Sequence, residues 1–367
     1  MRKNHKTPRV TYSPLRNDFI YLFRRFGHKA AYKDGREKTL SKQTMNANQS
    51  GMVNILNTLK GLGFKLQKII NLKQKHIYAL VRAWEDQGLA PRTIEGKVSK
   101  IRIMASWVDK RDMVKHFSLY GKNPAALVVE RVPKVAKDWA ANGVDAVEKI
   151  NEVLADNIFF GLVLDLKHTF GLRMREACLF QPHEDVIGAA IHITRGPKGG
   201  KPRYLTIREE SECDLIEQLR EIIPPHGNII TAYVAYMMKY KCRKPGKIMK
   251  LDTFKRACYR CCNKHGISRS EGLVPHGLRH ERAHLLYKKH TGVNSPLHGG
   301  DPSTITHEQS KAARNEVSRN FGHERDSISS AYLGSPPKKS AFKKEDNTKG
   351  GMPPHIQLVY VDKRLSE

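Results

Sequence analysis

Long apolar runs are missing from this 367-residue chain. No stretch approaches the ~18 apolar residues that mark a membrane-spanning helix, so no transmembrane segment is expected. The opening MRKNHKTPRVTYSP has charge but no apolar h-region, so no secretory signal is expected there. Cysteine is scarce: six residues, three of them bunched at Cys258, Cys261 and Cys262, which is no disulfide framework and suits a reducing cytosol. Acidic residues are the other shortage, 36 Asp+Glu against 65 Lys+Arg, for a net charge of +29. A compact body with that charge repels itself unless a polyanion neutralises it, and nucleic acid is the obvious one. Disorder throughout is excluded, because 39% hydrophobic residues can fill ordinary cores. The length suggests two domains.

The residues present divide the chain. Residues 1–40 form a basic N-terminal segment; within it, NDFIYLFRRFGHKA sets Phe19, Leu22, Phe23 and Phe26 at helical spacing. Residues 41–112 read as an all-α bundle. Met52, Ile55, Leu56 and Leu59 make one apolar face, Ile77, Leu80, Val81 and Trp84 a second, and Ile94, Val98 and Ile101 a third. Arg92, Lys97, Lys100 and Arg102 decorate its polar faces and are candidate DNA contacts. Residues 113–143, with GKNPAALVVERVPKVAKDW, read as an interdomain linker. A mixed domain follows over 144–334, mainly helical with a strand pair, AAIHITRG and PRYLTI, joined at PKGGK, where Gly199 and Gly200 supply the positive φ of a turn. The fold class is therefore mainly α with a small β-sheet. Residues 335–367 form a tail ending in HIQLVYV, a candidate docking strand.

Polar groups recur at three places in that second domain. FGLRMREACLF puts Arg173 and Glu176 three apart, on one helix face. PHGLRHERAHLL does the same with His276 and Arg279, and FGHERDSISSAYLG sets Tyr332 nine residues after His323. Lys198 lies between the first two, on the hairpin loop. Arginines and histidines match the non-bridging oxygens of a phosphate. A tyrosine hydroxyl can attack phosphorus, and a lysine can protonate a leaving 5′ oxygen. No acidic pair stands ready for divalent metals, so a two-metal nuclease fits poorly.

GLRMREACLF, PKGGKPRYLTI, HGLRH and FGH-x8-Y, in this order, resemble the signature of the tyrosine recombinase (phage integrase) family. LKQKHIYALVRAW…GLAPRTIEGKVSKIR is similar to the helices of that family's SAM-like core-binding domain. The resemblance implies a C-shaped clamp around duplex DNA and a site-specific recombinase, an integrase that needs no metal, cofactor or ATP. Under it, Arg173 and Arg279 bind the scissile phosphate and Lys198 is the general acid. His276 is a general base or an orienting donor, His323 hydrogen-bonds the phosphate, and Tyr332 becomes the 3′-phosphotyrosine. Glu176 braces Arg173, His280 is structural, Lys201 competes with Lys198, and Arg175 faces DNA. Implied partners are double-stranded DNA, a second chain on each site, four chains in synapsis, and an accessory excision or bending factor. Implied localisation is the bacterial cytoplasm, at the nucleoid.

One departure is the interval from Arg279 to His323, 44 positions, longer than simple members show. Its TGVNSPLHGG resembles integrases of integrative elements. The same chemistry would also serve a type IB topoisomerase-like or telomere-resolving enzyme, and a degenerate site would leave a non-catalytic DNA-binding protein. Cys258, Cys261, Cys262 and His265 invite zinc, but on a helix they read better as small apolar residues. The remaining histidines, His284 and His298 among them, form no spacing pattern, and no metal is expected.

Overall fold

A computed structural model of the chain describes residues 13–31, 37–240, 249–323 and 325–343. The side chains of residues 30, 31, 37, 38, 198 and 326 are outside that description, and so is the expected docking strand HIQLVYV. The chain divides into two compact units, residues 1–130 and 131–367. Among the described residues no helix is long and apolar enough to cross a membrane.

The first unit is helical. Helix α1 (Pro14–Phe26) begins at a proline, whose missing N–H costs nothing at a helix start. A short antiparallel pair follows, β1 (Lys29–Ala31) and β2 (Glu37–Thr39). Then come α2 (Lys42–Gly61), with the Ser41 hydroxyl accepting from the Thr44 N–H, α3 (Gln74–Asp86) and α4 (Pro91–Ser106). The three apolar faces read from the sequence meet in one core containing Met52, Ile55, Leu80, Trp84, Val98 and Ile101.

This unit takes in more chain than residues 41–112. Phe19 of α1 is fully buried in the same core, and the Ile69 N–H donates to Asp18 Oδ2 at 2.7 Å. Beyond α4, Val114, Phe117, Tyr120 and Leu127 are buried there too. Tyr120 fastens that stretch: its hydroxyl donates to the Met113 carbonyl at 3.1 Å and accepts from the Lys115 N–H at 2.8 Å. Pro124 of the expected linker thus opens a short turn, Pro124–Ala126, in a stretch whose aromatic and aliphatic side chains have a core to enter.

The second unit is built around α6 (Ile158–Phe170), apolar on nearly every face and buried on nearly every face. Before it runs α5 (Ala146–Asp156), capped by Asp145, and after it the short α7 (Met174–Leu179). Strands β3 (Val186–Ile187), β4 (Ala190–Ile193) and β5 (Arg203–Thr206) form an antiparallel sheet in that order. The expected pair is present, with Ile191 opposite Leu205, and β3 adds a third strand. Gly199 (φ +79°) and Gly200 (φ +73°) turn the chain between β4 and β5. Helices α8 (Glu210–Ile222), α9 (Ile229–Tyr240), α10 (Leu251–Lys264), α11 (Gly277–Thr291), α12 (His307–Asn320) and the one-turn α13 (Ser330–Leu333) complete the unit. Cys258 and Cys262 of α10 are fully buried in its core. Phe342 packs in a smaller cluster with Tyr332 and Leu333, so the described chain past residue 334, up to residue 343, still belongs to the fold.

Candidate active site

Three chain reversals bring the polar groups together. Helix α6 stops at Gly171, in the left-handed region at φ +66°, where a Cβ would meet the Phe321 ring at 2.5 Å. The next turn delivers Arg173 to the N-terminus of α7. At the start of α11, the Trp139 indole N–H donates to the Val274 carbonyl at 2.9 Å and fixes the turn that carries His276 and Arg279. After α12, Gly322 at φ +67° redirects the chain toward His323 and α13, which holds Tyr332.

Arg279 lies at the centre, fully buried. Its Nε donates to the Tyr332 hydroxyl at 3.2 Å, Nη1 to the Gly171 carbonyl, and Nη2 to the Phe321 carbonyl at 2.9 Å. The guanidinium also covers the Phe321 ring, 3.9 Å from its centroid. Burial, with Arg173 adding to it, lowers its pKa to about 10 against the opposing pull of Tyr332, so it stays charged at neutral pH. Arg173 Nη2 reaches the same Phe321 carbonyl at 3.2 Å. One backbone oxygen therefore holds two guanidiniums.

Glu176 is the counter-charge. Its carboxylate accepts from the Arg173 guanidinium and backbone N–H, both at 2.8 Å. It also accepts a two-pronged pair from Arg203, Nη1 to Oε1 at 2.9 Å and Nη2 to Oε2 at 2.8 Å. Burial alone would raise this carboxyl. Hydrogen bonds and charge from Arg203, then from Arg173, outweigh that and hold it at about 2.

The sequence reading passed over Arg203. Its signal is strand alternation: Arg203 shares the inward face of β5 with buried Leu205, while Tyr204 and Thr206 point out. Lys167 was also passed over. It is buried on α6 with Nζ donating to the Leu172 carbonyl at 3.2 Å, and burial together with Arg279 lowers it to about 8. A lone lysine in an otherwise apolar helix was the available hint. Four cations thus surround one carboxylate, an excess of positive charge beside a tyrosine hydroxyl.

Two histidines flank Tyr332, and a third packs on one of them. His280 is buried, its ring 4.9 Å from the tyrosine ring. Burial and then Lys137 lower it to about 4. His323 Nε2 lies 3.5 Å from the Tyr332 hydroxyl. His276 keeps an exposed edge at the mouth of the site, with its ring perpendicular to His280 at 5.3 Å. Surrounding protein first, then Lys167 and its other charged neighbours, push its pKa down; the exposed edge limits how far, and the imidazole is neutral at pH 7. Tyr332 itself is only 7% exposed, packed against Phe321. Tyr287, the other tyrosine of this region, is buried with its hydroxyl 2.9 Å from Ser310 Oγ.

Other expected residues lie apart or are otherwise engaged. The Lys198 side chain is outside the described residues, and Lys201 and Arg175 are exposed. In the first unit, Arg92 is exposed and pairs with Glu95 at 3.0 Å. Lys97 donates to Asn54 Oδ1 at 2.7 Å and lies 4.9 Å over the Trp84 ring. Lys100 Nζ turns to the Gly96 carbonyl, and Arg102 ties α4 to the following chain through the Val114 and Lys115 carbonyls, the latter at 2.9 Å. Arg102 is thus a brace within its own unit. On α10, Cys261 and His265 face Asp156, away from buried Cys258 and Cys262, so that helix does not gather the four into one set.

Residues 32–114 match the family model described as "Phage integrase, N-terminal". No curated protein matches the chain by sequence. Among solved structures, the Tn1549 transposon integrase in complex with a circular-intermediate DNA is similar at TM-score 0.54 and 13% identity, over 90% of this chain and 98% of that one. A lambda integrase tetramer bound to a Holliday junction gives TM-score 0.51 and 15% identity, over 85% and 76%. A lambda integrase dimer on a COC′ core site gives 0.50 and 14%, over 91% and 78%. At these identities the likeness is one of fold.

Proposed function

We propose that this chain, which has the tyrosine recombinase fold with an integrase-type N-terminal domain, is a site-specific DNA recombinase that integrates or excises a mobile element. The observation that carries the reading is the Tyr332 hydroxyl held on Arg279, beside Arg173, in a cluster whose cations outnumber its one carboxylate, Glu176.

A scissile phosphate supplies the further anion. Arg173 and Arg279 take its non-bridging oxygens and offset the charge that builds on the pentavalent phosphorus. The Tyr332 oxygen attacks phosphorus, the bond to the 5′ oxygen breaks, and a 3′-phosphotyrosine ester forms. The tyrosine proton passes to His276 or solvent, and Lys198 gives a proton to the departing 5′ oxygen. Attack by another strand's 5′ hydroxyl reverses these steps and releases Tyr332, so the phosphodiester energy is conserved without ATP. His323 holds a phosphate oxygen. Glu176 and Arg203 keep Arg173 aimed, and His280 supports the Tyr332 ring. With Arg279 enclosed, the phosphate must exchange with the Tyr332 hydroxyl at Nε; α13, a single turn ending at Gly334, is the element that moves.

Arg175 and Lys201, both exposed, and Arg92, Lys97 and Lys100 on the first unit are assigned to the DNA backbone. Two chains on each inverted repeat and four in synapsis are proposed by analogy with the lambda integrase dimer and tetramer, together with an accessory bending factor and a place at the bacterial nucleoid. The test is a nicked suicide substrate. Wild-type chain in magnesium-free buffer is expected to form a covalent adduct on it, and Holliday junctions on a pair of intact sites. Tyr332→Phe is expected to form neither, with DNA affinity within about threefold, because the ring's packing is kept. An adduct in the variant, or cleavage that requires Mg²⁺, refutes the assignment. Adducts without junctions would instead mark a topoisomerase-like enzyme.

A further inference from the structure

Three polar atoms in the second unit face one another at one point. Asp138 precedes the Trp139 that anchors α11. His284 lies on α11, one turn past His280. His298 lies in the long interval before α12. Asp138 is fully buried and His284 is 5% exposed. Asp138 Oδ2 is 2.7 Å from His298 Nε2 and 3.8 Å from His284 Nε2, and all three atoms lie within 4.8 Å of one another. None of them has an aligned hydrogen bond, although each is shielded from water. Buried polar atoms are normally paired; here the Asp138–His298 contact is misaligned for a hydrogen bond and His284 Nε2 has none, so one ligand at this point would satisfy all three.

We propose that Asp138, His284 and His298 bind one zinc ion, with a water as fourth ligand. Imidazole nitrogen and carboxylate oxygen are suitable zinc donors, and bonds near 2.0–2.1 Å give a tetrahedral edge of about 3.3 Å, between the two shorter donor separations seen. The outer shell fits as well. Ser295 Oγ, itself buried, sits 2.6 Å from His284 Nδ1 and takes that proton, which leaves a lone pair on Nε2 for the metal. The two imidazoles stack at 4.0 Å, both presenting Nε2 to the carboxylate. The ion ties the chain leading into the unit, the helix carrying His276 and Arg279, and the long interval to one point. It touches neither Arg279 nor Tyr332, so its role is to hold α11 in place.

The other cluster of this type, Asp156 with Cys261 and His265, differs in a telling way. Its carboxylate is exposed to water and carries a lysine, Lys264, at 2.7 Å besides His265 at 3.1 Å. It serves as the internal control.

The full chain, stripped with chelator and desalted, is titrated with Zn²⁺ alone by calorimetry. One ion per chain is expected, with a Tm rise on the order of 5–10 °C at a hundredfold excess over Kd. His298→Ala, at a quarter-exposed position that tolerates truncation, is expected to abolish both effects. Ser295→Ala, which touches no metal, is expected to weaken binding about 10–100-fold. His265→Ala is expected to change neither. Absence of stoichiometric binding, or binding intact in His298→Ala, overturns the proposal. No DNA enters the measurement, so its outcome is separate from that of the recombinase reading.

Discussion

Replacing Arg203 with alanine tests whether Arg173 is held in place by a buried ionic bridge. Arg203 donates twice to Glu176 and, through Nε, to the Asn320 carbonyl at 2.9 Å. Its side chain is 5% exposed and the Glu176 side chain fully buried, so solvent screens little of this. Breaking such a pair by removing one partner costs about 3–5 kcal/mol, most of it the charge left behind. For a unit of this size each kcal/mol moves Tm by about 2–4 °C, so a fall of about 6–20 °C is expected by calorimetry. Glu176 would then lean on Arg173 alone. A displacement of about 1 Å at a positioned group costs on the order of 100-fold in rate, so adduct formation well below Tm is expected to slow by that factor. DNA affinity should stay near wild type. Arg203→Lys keeps the charge but cannot span both carboxylate oxygens, and should fall between. The acid side checks the same bridge. Because the Glu176 carboxyl is depressed to about 2, its contribution is present above the unfolded value near pH 4.3 and lost as pH falls toward 2. In Arg203→Ala the folded value rises toward the unfolded one, so that loss is smaller and is complete at higher pH. Tyr204→Ala, next door on the outward face and 64% exposed, should change stability by no more than about 0.5 kcal/mol. A variant at Arg203 that melts within a degree of wild type and cleaves at its rate would refute the bridge as a positioning device.

Two further outcomes are expected. Phe19→Ala should lower the stability of the first unit by about 3–5 kcal/mol, read as a shift of its melting transition, because α1 is part of that core; an unmoved transition would return residues 1–40 to the status of a separate basic segment. DNA affinity should fall with a slope near −9 in log K against log [salt] if about ten phosphates are neutralised at about −0.9 each, and a slope near −2 would contradict an encircling contact.

Local pattern was enough for the helices α2 to α4, whose apolar faces repeat within a few residues, and for the β4–β5 hairpin with its paired glycines. It was also enough to single out Arg173, Glu176, Arg279, His323 and Tyr332, since each belongs to a short run with its neighbour three or nine positions away. The three-residue spacings are those of helix starts, which a sequence carries openly. Tertiary structure decided the rest. Arg203 reaches Glu176 across 27 residues, and Lys167 is cationic yet buried because α6 has core on nearly every side. Asp138, His284 and His298 are unremarkable singly, and 146 positions separate Asp138 from His284; only chain folding sets their ligand atoms at one point. Within the expected linker, residues 113–143, the burial of Val114, Phe117, Tyr120 and Leu127 was hidden for the same reason. Prolines describe the local backbone, but whether Phe117 and Tyr120 enter a core depends on a surface made by helices elsewhere in the chain. Hydrogen bonds and burial between distant segments have no period, so no reading of the chain in order reveals them.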